Sequence, residues 1–345
     1  MADPTGLDLT ALREWLGHEK PGLAHRPLTA TLITGGKSNL TYSVTDGTQE
    51  YVVRRPPLGH VLATAHDMSR EYRVMAALAS TDVPVPRMLA LCEDTAVIGS
   101  PFYVMEKVAG TPYSRAADLA ALGAARTRAI TERMVDTLAV LHAVDYQAIG
   151  LSDFGRAEGY LGRQLARWTK QLESSRSRDL PGMDELITGL GAKVPAESGA
   201  AIVHGDFRLD NLLVDTLPNG GGDRITAVLD WEMSTLGDPL TDLAVLLAYQ
   251  HMGETGAAAG TPVVTDAPQA PGYLSREEVT ARYAEKSGRD VGEIGFHLGL
   301  AFFKLAVILE GIHYRHTHGQ TVGAGFDGIG DMIAPLIGAG RAAIR

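Results

Sequence analysis

Two short stretches constrain this chain more than any others: AAIVHGDFRLDNLLVD, residues 200–215, and RITAVLDWEMSTLGDP, residues 224–239. Each opens as a run of apolar residues and passes into a polar loop, so each reads as a short strand handing its end to a loop. In the first, Asp206 and Asn211 stand five positions apart. A carboxylate in such a loop is equipped to accept a proton from a hydroxyl, and an amide oxygen to meet a metal ion. In the second, an apolar strand delivers Asp230. One carboxylate and one amide make an oxygen donor set of the kind that Mg²⁺ shares with phosphate groups. The plainer reading of the first loop is a solvated turn rich in Asp and Asn, and of Asp230 a cap for the following turn. Two matched loops in this order weigh against the plainer reading of both.

Around these loops the pattern changes with position. LDLTALREWLG has helical spacing. LTATLITGG and LTYSVTDGTQEYVVRRP read as strands, with Asp46-Gly47 as a hairpin turn. AHDMSREYRVMAALAS is an amphipathic helix, VPVPRMLALCED is broken by its prolines, and SPFYVMEKVAG is a strand running into a linker. Residues 1–108 therefore read as a strand-rich lobe with one helix inserted. Residues 109–345 read as mainly helical: ARTRAITERMVDTLAVLHAV places Ile130, Met134, Leu138 and Leu141 on one face. The fold class expected is α+β, a small antiparallel sheet followed by a larger helical part.

GGKSN, residues 35–39, looks like the end of a phosphate-binding P-loop. That motif needs a glycine where Thr31 stands, and must open into a helix, whereas SNLTYSV alternates like a strand. The residues leave two readings, an ordinary hairpin turn or a glycine-rich turn laid over nucleotide phosphates.

The two loops also match protein-kinase patterns: H-R-D-x-x-x-x-N with Gly205 for Arg, and D-F-G with Trp231 for Phe. Together, VHGDFRLDNLLVD and VLDWEMSTLGDPLTDLA resemble the aminoglycoside phosphotransferase and choline kinase family, which has a bilobal protein-kinase-like fold. The form H-G-D-[FY]-R-L-D-N is most similar to the branch associated with acyl-CoA dehydrogenases. The resemblance implies a small-molecule kinase that moves the γ-phosphoryl of Mg-ATP to a hydroxyl, with Asp206 as catalytic base and Arg208 on the transferred phosphoryl. Asn211 and Asp230 would hold Mg²⁺. Gly36, Ser38 and Asn39 would cover the phosphates. Arg54 would stand where kinases carry a lysine, paired with Glu71, and Met105, Glu106 and Val108 would meet adenine. Asp242 would tether the catalytic loop, and His204 would fix it by hydrogen bonding. The branch suggests a hydroxy acid or hydroxyacyl-CoA as acceptor; an aminoglycoside or choline-type kinase is the alternative. Arg54 for Lys and the abbreviated glycine loop also leave open a non-catalytic nucleotide-binding module.

Bulk properties bound the rest. With 345 residues and 45% hydrophobic content, the chain has material for two lobes. A net charge of −10 argues against non-specific nucleic-acid binding. Cys92 is the single cysteine, which excludes an internal disulfide or thiolate cluster and favours a reducing cytoplasm. GLAFFKLAVILEGI carries Lys304 and Glu310, so it is expected to be a core helix rather than a membrane span.

Overall fold

The computed structural model describes residues 3–33, 39–58, 66–216, 222–255, 265–320 and 325–345. Gly36 and Ser38, two of the expected phosphate-loop residues, lie outside the described residues. The chain divides into two compact units, Met1–Gly110 with Thr226–Ser234, and Thr111–Ile225 with Thr235–Arg345. The expected division at 108/109 left Thr226–Ser234 with the later residues; the structure groups this segment, which includes Asp230, with the first unit.

The first unit is built on a five-stranded antiparallel sheet: β1 Thr29–Leu32, β2 Leu40–Thr45, β3 Glu50–Arg55, β4 Met88–Cys92 and β5 Phe102–Glu106, in spatial order β1-β2-β3-β5-β4. The β2–β3 hairpin turns at Asp46, whose carboxylate accepts from the backbone N–H groups of Thr48 and Gln49, both at 2.9 Å. VPVPRMLALCED yields a strand as soon as its prolines end, which the sequence reading did not assign. Besides the expected inserted helix α2 (Met68–Leu78), the unit holds α1 (Leu9–Glu19) and the single-turn α3 (Thr95–Ile98). Val44, Tyr42, Val53, Phe102 and Val104 form the centre of its core with Leu12 and Leu16 of α1. Helix α2 buries Met68, Glu71, Val74, Met75 and Leu78, a 3–4 spacing in which one member of the apolar stripe is a carboxylate.

The second unit is mainly helical: α4 Ala116–Leu122, α5 Ala124–Ala143, α6 Tyr160–Ser175, α7 Met183–Ala192, α8 Leu240–Glu254, α9 Arg276–Ser287, α10 Gly295–Thr317 and α11 Ile333–Ala343. The face expected on α5 is buried at all four of its positions. Strand β6 (Ala201–Val203) pairs antiparallel with β9 (Thr235–Gly237), and β7 (Leu212–Asp215) follows the first loop; β8 (Arg224–Val228), which precedes the second loop, belongs from Thr226 onward to the first unit. Helix α10 is long and apolar enough to cross a membrane by length and composition, yet most of its apolar stretch is buried inside the protein. Its two charged core positions are partnered. Glu310 accepts from Ser177 N–H at 3.1 Å and Arg178 Nε at 3.3 Å, and Lys304 is engaged as described below. A buried charge without such partners is among the costliest things a core can hold.

Candidate functional site

In the second unit the first loop is assembled from its flanking strand upward. β6 is buried at every residue and delivers His204, which is itself buried. Gly205 follows at φ 87°, a left-handed conformation that residues with a Cβ rarely adopt, so the turn that presents Asp206 requires glycine. Phe207 and Leu209 point into the core and anchor the far side, and a 3₁₀ turn over Leu209–Asn211 leads into β7. That turn brings Asn211 back to Asp206. Its Nδ2 donates to the backbone oxygen of Asp206 at 2.8 Å and to Oδ2 of the same residue at 3.1 Å. The Asp206 side chain keeps 23% of its surface exposed.

Three further anchors hold the loop. Asp242, in the first turn of α8, accepts from the backbone N–H of His204 at 2.6 Å and of Gly205 at 2.7 Å. It also meets His142 Nε2 at 3.2 Å, and the other ring nitrogen of His142 meets the Tyr283 hydroxyl at 2.7 Å. Burial works to raise the Asp242 carboxyl, but the hydrogen bond and attraction of His142, together with His204, outweigh it and hold the group below the usual carboxylate range. Lys304 of α10 donates to the Gly205 carbonyl at 2.7 Å with its ammonium 5.7 Å from the Trp168 ring centre; burial pushes its pKa down, against the pull of Asp206 and Asp242. The third anchor is internal: Nδ1 of His204 accepts from the Asp206 N–H at 3.2 Å. Asp238 of Gly237-Asp238-Pro239 accepts from the Leu240 N–H at the start of α8 at 3.0 Å and ties down Ser198. Gly237 lies where an added Cβ would stand 2.6 Å from the Tyr160 ring, so its role is close packing.

Arg208, two residues after Asp206, is not a loose surface charge. Its guanidinium meets Asp210 Oδ2 at 2.7 Å and Asp206 Oδ2 at 3.8 Å, and lies 4.6 Å from the ring centre of Tyr249.

In the first unit a second cluster forms around Arg54. Its position on the sheet aims it at α2, where Nε meets Glu71 Oε2 at 3.1 Å, and Nη2 meets Asp230 Oδ1 at 2.5 Å and Glu232 Oε2 at 4.0 Å. Glu71 is 1% exposed and also accepts from the Tyr103 hydroxyl at 2.9 Å and from Asn39 Nδ2 at 3.1 Å. Burial opposes the charge on Arg54, but Tyr103, Glu71, Asp230 and Glu232 together outweigh it and raise the guanidinium pKa, so Arg54 is a fixed cation. Asp230 sits at φ 66°, the one described non-glycine residue in the left-handed region, and Asp is among the few types that tolerate it. Its side chain is 31% exposed.

The remaining expected residues are placed as follows. Asn39 is buried with its amide nitrogen spent on Glu71 and on Glu232 Oε2 at 3.2 Å, an arrangement that serves the carboxylate cluster rather than offering that donor to phosphate. Met105 is buried on β5, the Glu106 N–H donates to the Arg87 carbonyl at 2.9 Å, and Val108 is half-buried in the segment beyond the strand. Sequence reasoning missed Glu232, Tyr103, His142 and Tyr249, and read Lys304 only as a charge incompatible with a membrane.

Each unit offers an oxygen of the kind a hard divalent cation takes. Asn211 uses its amide nitrogen on Asp206, which leaves its oxygen as the donor, and Asp230 commits one carboxylate oxygen to Arg54, which leaves the second. Among the described residues no group of three or more His, Cys, Asp or Glu side chains gathers to hold a metal.

The model of the phosphotransferase enzyme family matches residues 29–279. Acyl-CoA dehydrogenase family member 11 of Mus musculus is 36% identical over 322 residues, which cover 91% of this chain and 40% of the mouse protein. The chain thus spans about two fifths of the length of such curated relatives. A solved structure from Ralstonia eutropha, described as a candidate aminoglycoside phosphotransferase, is 37% identical, covers 98% of both chains and superposes with a TM-score of 0.83. An aminoglycoside phosphotransferase solved as a ternary complex with AMP-PNP and hygromycin B is 16% identical, with TM-score 0.60 over 97% of this chain and 98% of that one, a likeness of fold alone.

Proposed function

The chain belongs to the phosphotransferase enzyme family, and from that premise we propose that it transfers the γ-phosphoryl group of Mg-ATP to a hydroxyl of a small molecule. One observation carries the reading: a partly exposed carboxylate, Asp206, held by Asn211 on a loop that Asp242 and Lys304 pin from two helices. Asp206 takes the proton of the acceptor hydroxyl as its oxygen bonds to phosphorus, and the bond to the ADP oxygen breaks. Arg208 stabilises the charge spread over the phosphoryl oxygens. Asn211 and Asp230 would each offer an oxygen donor to Mg²⁺, which would supply neutralisation of phosphate charge. Arg54, kept cationic by its carboxylates, takes the phosphate-facing role of the kinase lysine.

For the acceptor we favour a hydroxy acid or a hydroxyacyl-CoA thioester, supported by the name that the longer mouse relative carries. The Ralstonia description supports an aminoglycoside instead. A test of Mg-dependent ATP consumption against aminoglycosides, choline, homoserine and hydroxyacyl-CoA thioesters separates these. A response to a thioester is expected; a response to an aminoglycoside alone would overturn the acceptor assignment. The second reading is a non-catalytic nucleotide-binding module. It is favoured by Arg54, which stands in the lysine position already engaged by Glu71 and Asp230. Tight nucleotide binding with ATP left intact beside every acceptor would select it.

A further inference from the structure

Tyr249 is the residue that joins the two groups assigned to the chemistry, and nothing in the sequence motifs marks it. It lies on α8 seven residues after Asp242, two helical turns along the same face, so the helix that tethers the loop backbone also reaches the loop's side chains. Tyr249 lies near enough to Asp206 for the carboxylate charge to act on its phenol. Its ring lies under the Arg208 guanidinium, 4.6 Å from ring centre to Cζ. Burial, reinforced by the Asp206 charge, drives the phenol pKa far above its ordinary value, so at neutral pH the hydroxyl is a permanent donor.

We propose that Tyr249 is the positioning residue of this site: through its hydroxyl it fixes the rotation of the Asp206 carboxylate, and through its ring the plane of the Arg208 guanidinium. The inference rests on the assignment of Asp206 and Arg208 given above. Asp206 carries two oxygens, and Asn211 Nδ2 approaches one of them. A phenolic donor removes further rotational freedom and leaves a defined lone-pair direction for the incoming hydroxyl. Arg208 is held at one edge by Asp210 and on one face by Tyr249, so the plane in which its N–H groups donate is fixed. A base and a cation fixed by one rigid ring keep their mutual geometry, and misplacement of such groups by an ångström costs up to about 100-fold in rate.

The test uses the whole protein with Mg-ATP and water as acceptor, so it needs no knowledge of the natural substrate. Tyr249→Phe keeps the ring and deletes the hydroxyl; Tyr249→Leu deletes both. The account expects Tyr249→Phe to lower kcat about 10-fold and Tyr249→Leu about 100-fold, with KM for ATP and the ADP-induced shift in melting temperature unchanged in both. A merely structural role would instead lower melting temperature and leave kcat per folded molecule intact. Asp206→Asn is run beside them. If it abolishes hydrolysis while Tyr249→Phe matches the parent, the positioning role is overturned and the Asp206 assignment stands. If Asp206→Asn hydrolyses ATP like the parent, the Asp206 assignment itself falls, and the positioning role with it.

Discussion

The clusters around Arg54 and around Asp206 both orient carboxylates, but by opposite means. In the first, one guanidinium meets Glu71 and Asp230, with Glu232 at its edge, and the contacts run from side chain to side chain across distant segments. In the second, the carboxylate sits on a loop whose backbone is fastened by Asp242, Lys304 and His204 before any side chain is considered. The first cluster therefore centres on the charge of Arg54, with Tyr103 and Asn39 as neutral donors beside it, and the second on several bonds that share the load. This difference matches the proposed tasks. Groups that face phosphates and a metal must adjust as charge arrives, whereas a base must stand still.

The comparison can be broken in order of effect. Asp206→Asn should reduce turnover by 1,000-fold or more, about 4 kcal/mol of transition-state free energy, while nucleotide binding by thermal shift is retained. Arg54→Met should leave Glu71 buried without its cation and lower unfolding free energy by about 3–5 kcal/mol, measured by urea denaturation. Arg54→Met combined with Glu71→Gln should recover part of that loss, and if the double variant is no better than the single one, the reliance on one charge is wrong.

Asp242→Asn should cost less, about 3 kcal/mol at neutral pH, because the neighbouring anchors stay. Its effect carries a pH signature. The folded-state pKa of Asp242 lies below the unfolded value, so its stabilisation is present above the ordinary carboxylate pKa of about 3.9 and is lost as pH falls through the folded value. The stability gap between parent and variant should accordingly narrow on acidification; a gap constant from pH 7 to pH 3 would contradict the assignment. Smallest of all, Glu50→Gln removes an exposed ion pair with Lys107 and should leave the melting temperature unchanged.

Much of this is legible in the sequence where the physics is local. The turn glycine at 205, the five-residue return from Asp206 to Asn211, and the delivery of Asp230 by an apolar strand are properties of short segments. The pairing of Arg54 with Glu71 is legible from the family pattern, since one residue lies on a strand and the other on the helix after it. The remainder depends on chain separations that no local pattern encodes. Lys304 reaches Gly205 from 99 residues away, and Asn39 reaches Glu232 from 193. A signal existed for Lys304: a lysine in an otherwise apolar helix needs a buried acceptor. For Tyr249 the signal was weaker, a phenol two turns after Asp242 on a helix buried nearly all round. The membership of Thr226–Ser234 in the first unit is not visible from composition at all, because it follows from where Arg54 and α2 find their carboxylates.

The central claim is that Asp206 performs phosphoryl transfer to a small-molecule hydroxyl. The most direct test follows ³¹P resonances of Mg-ATP with the acceptor panel, for the parent protein and for Asp206→Asn at matched nucleotide occupancy. The account predicts a new phosphomonoester signal and ADP with the parent only. A phosphomonoester formed at a similar rate by Asp206→Asn would contradict it.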